Sequence, residues 1–125
     1  MTDPHRPDPH RITVDPVPGT VRVTVAGTTI AESTDALLLQ EGSLPPRYYL
    51  PRDDVRTDLL VASESRTTCP FKGAASYWTL ALDGVRHEDL VWSYEEPIVE
   101  MAKIAGRLSF YNERAEIVVE PVTPG

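Results

Sequence analysis

Three reactive side chains in this sequence could do chemistry together: the amine of Lys72, the thiol of Cys69 and the carboxylate of Glu41. Lys72 is one of two lysines in a chain with ten arginines, and Cys69 is the only cysteine. A lysine in a chain that otherwise uses arginine suggests a role for a compact amine, such as a Schiff base, a phosphate contact or a proton donor. An ordinary turn lysine, with its stem along the surface, is the alternative interpretation.

The roles of Cys69 and Glu41 depend on where the fold places them relative to Lys72. Lys72 follows Cys69 by three residues across a turn, so its ammonium could return toward the sulfur and favour a reactive thiolate. A small buried apolar side chain is the commoner state of a lone cysteine. Glu41 would form an acid–base couple with Lys72 if its segment is a strand near Cys69, and would otherwise be a solvated loop acid. The candidate catalytic residues are these three.

Aromatic side chains are the second group of candidates, because tyrosine and tryptophan combine a flat apolar ring with a polar tip. Most such rings fill a core. Alternation along a strand, however, places adjacent rings on opposite faces. In a small domain the two faces cannot be equally shielded from water. Some rings are therefore expected to line a cleft. The predicted binding residues are Arg47, Tyr49, Tyr77, Trp78, Trp92 and Tyr94.

Length, charge and composition limit the classes of function. A chain of 125 residues fits one domain, and its net charge of −7 argues against nucleic acid or an anionic membrane as a partner. A single cysteine excludes zinc or iron–sulfur sites built from several cysteines, and we predict no metal site. The apolar runs are too short to span a membrane, and the polar N-terminus lacks the apolar core of a signal peptide, so the expected location is the cytoplasm.

The chain is expected to have two parts. Residues 1–18 hold five of the twelve prolines and little apolar content, so we predict a flexible arm. Residues 19–122 are predicted to form a single compact, mainly β domain of antiparallel strands, sandwich or barrel-like, with one short helix.

Alternating apolar residues define the clearest strands. Residues 21–25 alternate strictly and should place three valines in the core. Residues 74–82 and 90–94 alternate on either side of Asp83-Gly84, a pair typical of a hairpin turn.

Three other segments have weaker patterns. Residues 35–41 fit a strand or a single helical turn equally well. Residues 97–105 have an early proline, apolar residues at three- and four-residue spacing and a glycine after the end, which predicts the one helix. Residues 108–119 are predicted to form a closing hairpin.

Several spaced elements together resemble a known family. P-P-R-Y-Y-L-P at residues 45–51 fits P-x-Y-Y-x-P, and T-C-P-F-K-G-A-A-S-Y-W at residues 68–78 fits T-x-C-x-[WF]-K-G-x-A-x-Y-[WY]. W-S-Y at residues 92–94 with Pro97 fits W-x-Y-x-x-P. Residues 21–119 are therefore similar to the bacterial domain-of-unknown-function family 427, also labelled nucleotidyltransferase-like. The resemblance implies a compact β-rich domain, while no glycine-rich phosphate loop or paired-aspartate metal motif accompanies the transferase label.

These patterns predict a domain that binds an unknown small molecule in an aromatic-lined pocket, with catalysis if Lys72, Cys69 and Glu41 converge there. The alternative is a noncatalytic binding or protein-interaction module, in which the pocket holds a ligand or a peptide adds to a strand edge. The cofactor and the reaction do not follow from the sequence, and a homodimer is a further alternative for the assembly.

Overall fold

The computed structural model describes residues 11–121, which form ten strands in two antiparallel sheets. The strands are β1 Ile12–Pro16, β2 Thr20–Val25, β3 Thr28–Ser33, β4 Leu37–Glu41, β5 Arg47–Leu50, β6 Leu60–Cys69, β7 Gly73–Leu82, β8 Val85–Ser93, β9 Leu108–Phe110 and β10 Glu116–Glu120. Three short 3₁₀ segments, Arg52–Asp54, Thr57–Leu59 and Val99–Ile104, are the helical turns of this part of the chain. None of its helical segments is long and apolar enough to cross a membrane.

The two sheets face each other across the main core. The large sheet has the strand order β1-β4-β5-β9-β8-β7-β6, and the small sheet has the order β10-β2-β3. Val21, Val23 and Val25 are buried, as their alternation predicts, and they belong to one cluster with Leu80 and Phe110 of the large sheet. The described residues therefore form a compact antiparallel sandwich without a closed barrel, which confirms the predicted mainly β fold class.

The outer face of the large sheet carries a second, smaller apolar cluster. Tyr49 and Trp92 belong to it, and Met101 and Ile104 of the Val99–Ile104 segment are buried in the same cluster. Leu50, the neighbour of Tyr49 in β5, belongs instead to the main core. This division follows from strand geometry, because successive side chains point to opposite faces of a sheet.

Strand β9 joins the two halves of the large sheet with only three residues. Ser109 is the register partner of Tyr49 on one side and of Trp92 on the other. The three side chains therefore lie in one row across three strands and on one face. Ser109 is fully buried, and its small side chain leaves room between the two rings.

Two bulges lie side by side in the ribbon β6–β7–β8. In β6, three residues ending at Ser65 lie opposite Tyr77, and in β8, three residues ending at Leu90 lie opposite Thr79. Asp89, inside the second bulge, has a φ of 51°, a left-handed conformation that aspartate tolerates better than most residues. The Ser65 hydroxyl donates a hydrogen bond of 2.6 Å to the Asp89 carboxylate, so the two bulges are tied together.

The ordered domain begins earlier than the sequence predicts. β1 pairs with β4 over five residue pairs, from Ile12 with Glu41 to Pro16 with Leu37, and Val17 is buried. The predicted arm is therefore wrong for residues 11–18, because β1 is an edge strand and an edge strand tolerates proline. The rest of the predicted arm, residues 1–10, lies outside the described residues.

Two other elements differ from their predictions. The helix predicted over residues 97–105 is the 3₁₀ segment Val99–Ile104, interrupted at Met101 by non-helical angles (φ −109°, ψ 19°). The predicted closing hairpin is wrong, since β9 pairs with β5 and β8 whereas β10 pairs with β2 in the small sheet. Residues 35–41, which fitted strand or helix, contain β4.

Removing residues 11–18 should destabilise the protein, because the truncation leaves β4 as an unpaired edge and removes the buried Val17. We expect a melting temperature at least about 5 °C below that of a chain starting at Arg11, which corresponds to a loss of about 1–2 kcal/mol. Circular dichroism melts of the two chains test this. Equal melting temperatures would contradict the docking of β1.

Candidate functional site

A pocket of about 200 Å³ lies on the outer face of the large sheet, where β4, β5, β8 and the β6–β7 turn meet. Its walls combine charged groups with aromatic rings and a few aliphatic side chains. The lining residues are Leu39, Glu41, Leu44, Pro45, Arg47, Tyr49, Lys72, Tyr77, Trp92, Tyr94 and Tyr111.

The turn between β6 and β7 fixes the position of Lys72. Its amide N–H donates to the carbonyl of Cys69 (3.2 Å), and its own carbonyl accepts from the N–H of Ile98 (2.9 Å). Gly73 follows with a φ of +123°, and a Cβ at this position would lie 3.2 Å from the Cα of Pro97. Only glycine adopts this backbone conformation without strain, and only glycine permits so close an approach. The K-G pair of the sequence motif thus holds the lysine against the segment that follows β8.

Glu41 meets Lys72 at the pocket wall. Glu41 ends β4, and the N–H of Gly42 donates to the carbonyl of Arg11 (3.0 Å), so β1 helps to hold this strand end. The Lys72 ammonium donates to the Glu41 carboxylate, and the two side chains are only 12% and 13% exposed. The ammonium also lies 6.0 Å from the centre of the Tyr94 ring, within the range of a cation–π contact. The pair therefore joins two segments that are 31 residues apart.

The floor of the pocket is made by the row of Tyr49 and Trp92 on either side of Ser109. Trp92 Nε1 donates to the Tyr49 hydroxyl over 3.1 Å, and the ring centres lie 6.3 Å apart at 87°. This edge-to-face arrangement suits the ring quadrupoles and contributes about 0.5–1.5 kcal/mol beyond the buried area. Tyr111 extends the wall, with its ring centre 4.5 Å from that of Trp92.

Arg47 closes the side of the pocket opposite Lys72. Its guanidinium carbon lies 5.4 Å from the ring centre of Trp92 and 5.3 Å from that of Tyr111. It also pairs with Glu113 at 3.0 Å and donates to Asn112 Oδ1 at 3.2 Å. Arg47 therefore presents a positive charge to the pocket rim that a carboxylate outside the pocket already balances.

Burial raises the pKa of three tyrosine hydroxyls of the pocket. Desolvation raises the pKa of Tyr49 and of Tyr94 well above the usual value near 10. Desolvation, with a hydrogen bond to Tyr77, raises the pKa of Tyr111 to about 12. At neutral pH these groups are neutral hydroxyls that can donate hydrogen bonds to a ligand.

The structure brings together most of the residues singled out in the sequence. Glu41 and Lys72 line the pocket, together with the binding candidates Arg47, Tyr49, Tyr77, Trp92 and Tyr94. Their roles in binding or catalysis stay predictions.

Two candidates lie elsewhere. Trp78 packs against the main core on the opposite face of β7, with the guanidinium of Arg52 5.1 Å from its ring centre. Trp78 does not line the pocket, since strand alternation separates it from Tyr77, and its role in binding stays a prediction. Cys69 is half-buried beside the outer cluster and does not line the pocket. Over residues 11–121 no group of three or more metal-ligating side chains converges.

Sequence reasoning missed four lining residues, Tyr111, Leu39, Leu44 and Pro45. A signal existed for two of them. Leu39 precedes Glu41 by two residues, so a strand places both on one face, and Tyr111 belongs to the last aromatic pair of the chain. Leu44 and Pro45 lie in the loop after Glu41, whose path no periodicity reveals.

The family model described as Domain of unknown function (DUF427) matches residues 13–121. The chain belongs to this family. The match spans the sandwich from β1 to the end of β10, including both segments that supply Glu41 and Lys72. A search of curated proteins finds none that matches this DUF427 chain.

Substituting Gly73 by alanine should lower the free energy of unfolding by about 2–4 kcal/mol, because the new Cβ would be strained and would press on Pro97. Gly84→Ala is the matched control: Gly84 also has a positive φ, +78°, but a Cβ there meets nothing within 4 Å. The control should lose only about 1 kcal/mol. Urea unfolding of both variants measures the difference, and equal losses would show that the Pro97 contact is not tight.

A double-mutant cycle on Glu41→Gln and Lys72→Met should show that the pair is coupled. We expect a coupling energy of about 0.5–3 kcal/mol, because each single change leaves one partly buried charge unpaired. The exposed pair Arg86–Glu88 is the control and should give no more than about 0.5 kcal/mol. Additive effects in the Glu41–Lys72 cycle would contradict the contact.

Proposed function

We propose that this DUF427 domain binds a small, flat and uncharged polar molecule in the pocket whose wall holds the Glu41–Lys72 pair. The observation that carries the proposal is the ion pair itself: two oppositely charged groups from distant segments meet at a wall whose other surfaces are mostly aromatic rings. A concave apolar site with a few convergent polar groups is the usual form of a ligand site.

The size of the pocket limits the ligand. Sites for drug-sized molecules have volumes of about 300–1,000 Å³, whereas this pocket has about 200 Å³. A single ring with one polar substituent suits this volume better than a nucleotide does. The proposed ligand class is therefore a planar carbonyl or amide compound of roughly ten non-hydrogen atoms.

The charges of the pocket favour a neutral ligand. Lys72 is balanced by Glu41, and Arg47 is balanced by Glu113 at the rim. An amide could accept a hydrogen bond from the Lys72 ammonium and donate one to the Glu41 carboxylate, so that both partners keep their hydrogen bonds. A charged ligand would instead have to displace one member of an existing pair.

A ring in this pocket would contact the aromatic floor. The hydroxyl of Tyr49 accepts a hydrogen bond from Trp92, and as a neutral phenol it also has a proton to donate. A ligand carbonyl above Tyr49 would accept a hydrogen bond from this hydroxyl while the ligand ring packs on Trp92 and Tyr111.

Acid–base catalysis on the bound molecule is a second candidate function, favoured by the direct contact of Lys72 with Glu41. In this contact the ammonium could donate a proton to a ligand oxygen, and the carboxylate could accept one from a ligand N–H or C–H. Schiff-base chemistry fits less well, because the nucleophile would have to be the free amine. Cys69 has no part in this proposal, since its thiol does not line the pocket.

Binding can be tested with three probes that share a ring and differ in charge: benzamide, benzoate and benzylamine. We expect benzamide to shift the backbone NMR signals of pocket residues in a saturable way, and to bind more tightly than either charged probe. Lys72→Met should weaken benzamide binding about tenfold, because it removes one charge-assisted hydrogen bond.

Lys103→Met is the matched control, since Lys103 is the other lysine of the chain and is exposed. The control should bind benzamide like the wild type. The proposal fails if none of the three probes produces localised shifts, or if Lys103→Met weakens binding as much as Lys72→Met. Preference for benzylamine, or for benzoate with signal shifts confined to residues around Glu41 and Lys72, would reject the neutral ligand class.

A further inference from the structure

A second depression lies beside the pocket and shares two of its rings. It is an open groove of about 590 Å³, lined by Ser65, Arg66, Thr67, Tyr77, Asp89, Tyr111 and Arg114. Tyr77 and Tyr111 also line the pocket, so these two rings form a common wall. We refer to this depression as the Arg66–Arg114 groove.

The paired bulges of β6 and β8 build one side of this groove. The bulge in β6 ends at Ser65, directly before Arg66 and Thr67, and the bulge in β8 contains Asp89. Bulges re-aim side chains and are frequent beside functional sites. Here the bulges place two hydroxyl groups and a guanidinium on one rim.

The two arginines of the groove differ from most others in the protein, which pair with a carboxylate. Arg66 instead donates to the carbonyls of Ser63 (2.9 Å) and Ser65 (2.7 Å). Arg114 donates to the carbonyl of Glu88 over 2.7 Å. Neither guanidinium has a carboxylate oxygen within 4 Å in the described part of the chain, whereas Arg22, Arg47, Arg52, Arg56, Arg86 and Arg107 each do. Backbone carbonyls thus orient Arg66 and Arg114 without neutralising them.

Asp89 cancels only part of this charge. Its Oδ2 accepts a hydrogen bond from Ser65, and its Oδ1 is buried. Hydrogen bonds from Ser63 and Ser65 lower the pKa of Asp89, burial opposes them, and the positive charge of Arg114 lowers it further, so this carboxyl is ionised at neutral pH. Two guanidinium groups against one carboxylate leave the groove with a net positive charge in a chain of net charge −7.

Hydroxyl groups complete the donor set. Thr67 Oγ1 and the Tyr77 hydroxyl lie 2.8 Å apart at the rim, and either can turn a proton toward a ligand oxygen. Planar guanidinium forks combined with hydroxyls are the donor set that recognises carboxylate and phosphate oxygens.

We propose that the Arg66–Arg114 groove binds an oxyanion, the carboxylate or phosphate group of a ligand. This site does not depend on the function proposed for the neighbouring pocket. If one molecule fills both the pocket and the Arg66–Arg114 groove, its neutral ring lies on one side of the wall formed by Tyr77 and Tyr111. Its anionic group lies on the other side.

The test uses inorganic phosphate and acetate as probes, titrated separately into isotope-labelled protein at constant ionic strength. We expect saturable NMR shifts centred on Thr67, Tyr77 and Tyr111 for at least one anion. A stronger response to phosphate assigns the site to phosphate groups, and a stronger response to acetate assigns it to carboxylates. The absence of saturable shifts with both anions would overturn the proposal.

Arginine variants test whether the groove itself is responsible. Arg66→Gln and Arg114→Gln should each weaken binding at least fivefold. Arg86→Gln, which makes the same charge change at an exposed ion pair, should leave binding unchanged. An equal loss of anion affinity in Arg86→Gln would show that binding follows the overall charge of the protein and not this groove. That result would overturn the proposed site.

Arg66 and Arg114 also bind backbone carbonyls, so replacing them by glutamine could unfold the protein. Two milder variants test the same donor groups with smaller structural changes. Arg114→Lys keeps the charge but not the planar fork, so its affinity should lie between those of the wild type and Arg114→Gln. Thr67→Val removes only a rim hydroxyl and should weaken binding about two- to fivefold. Wild-type affinity in both would contradict the proposed donor set.

Discussion

The pairing of the short strand β9 with β5 and β8 is the constraint on which the rest of the large sheet depends. Ser109 pairs with Tyr49 on one side and with Trp92 on the other, while Leu108 pairs only with β5 and Phe110 only with β8. The two halves of the sheet therefore meet through three residues. Glu41 and Arg47 belong to one half, and Lys72 belongs to the other. The pocket exists because this junction brings the two sets of groups face to face.

The Glu41–Lys72 pair contributes little net stability, because attraction and desolvation oppose each other. Two unit charges near a protein surface attract each other by about 4 kcal/mol, but taking both out of water costs several kcal/mol each. With side chains only 12% and 13% exposed, these opposing contributions largely cancel, and two apolar side chains could fill the same space. The glycine turn at Gly73 and the end of β4 nevertheless hold this pair in place at the pocket wall.

Sequence reasoning succeeded where one local rule decides the outcome. Strict alternation located the buried valines of β2, and the Asp83-Gly84 turn located the β7–β8 hairpin. It failed where the partner is distant: β10 pairs with β2 and not with β9, and β1 is ordered only because β4 lies beside it. The choice of Glu41 and Lys72 came from residue type and family resemblance, whereas their contact across 31 residues required the fold. Trp78 lies outside the pocket, as alternation with Tyr77 alone indicates.

The paired bulges divide the ribbon β6–β7–β8 into two segments that pack in different places. On one side of them the ribbon walls the pocket through Tyr77 and Trp92, and on the other side Leu80 and Leu82 fill the sandwich core. A bulge absorbs a local change of twist and register, so substitutions around the β7–β8 hairpin need not be transmitted to the pocket. The two segments can therefore change their sequences separately. A family built on this ribbon could vary the side chains of the pocket while the core stays the same.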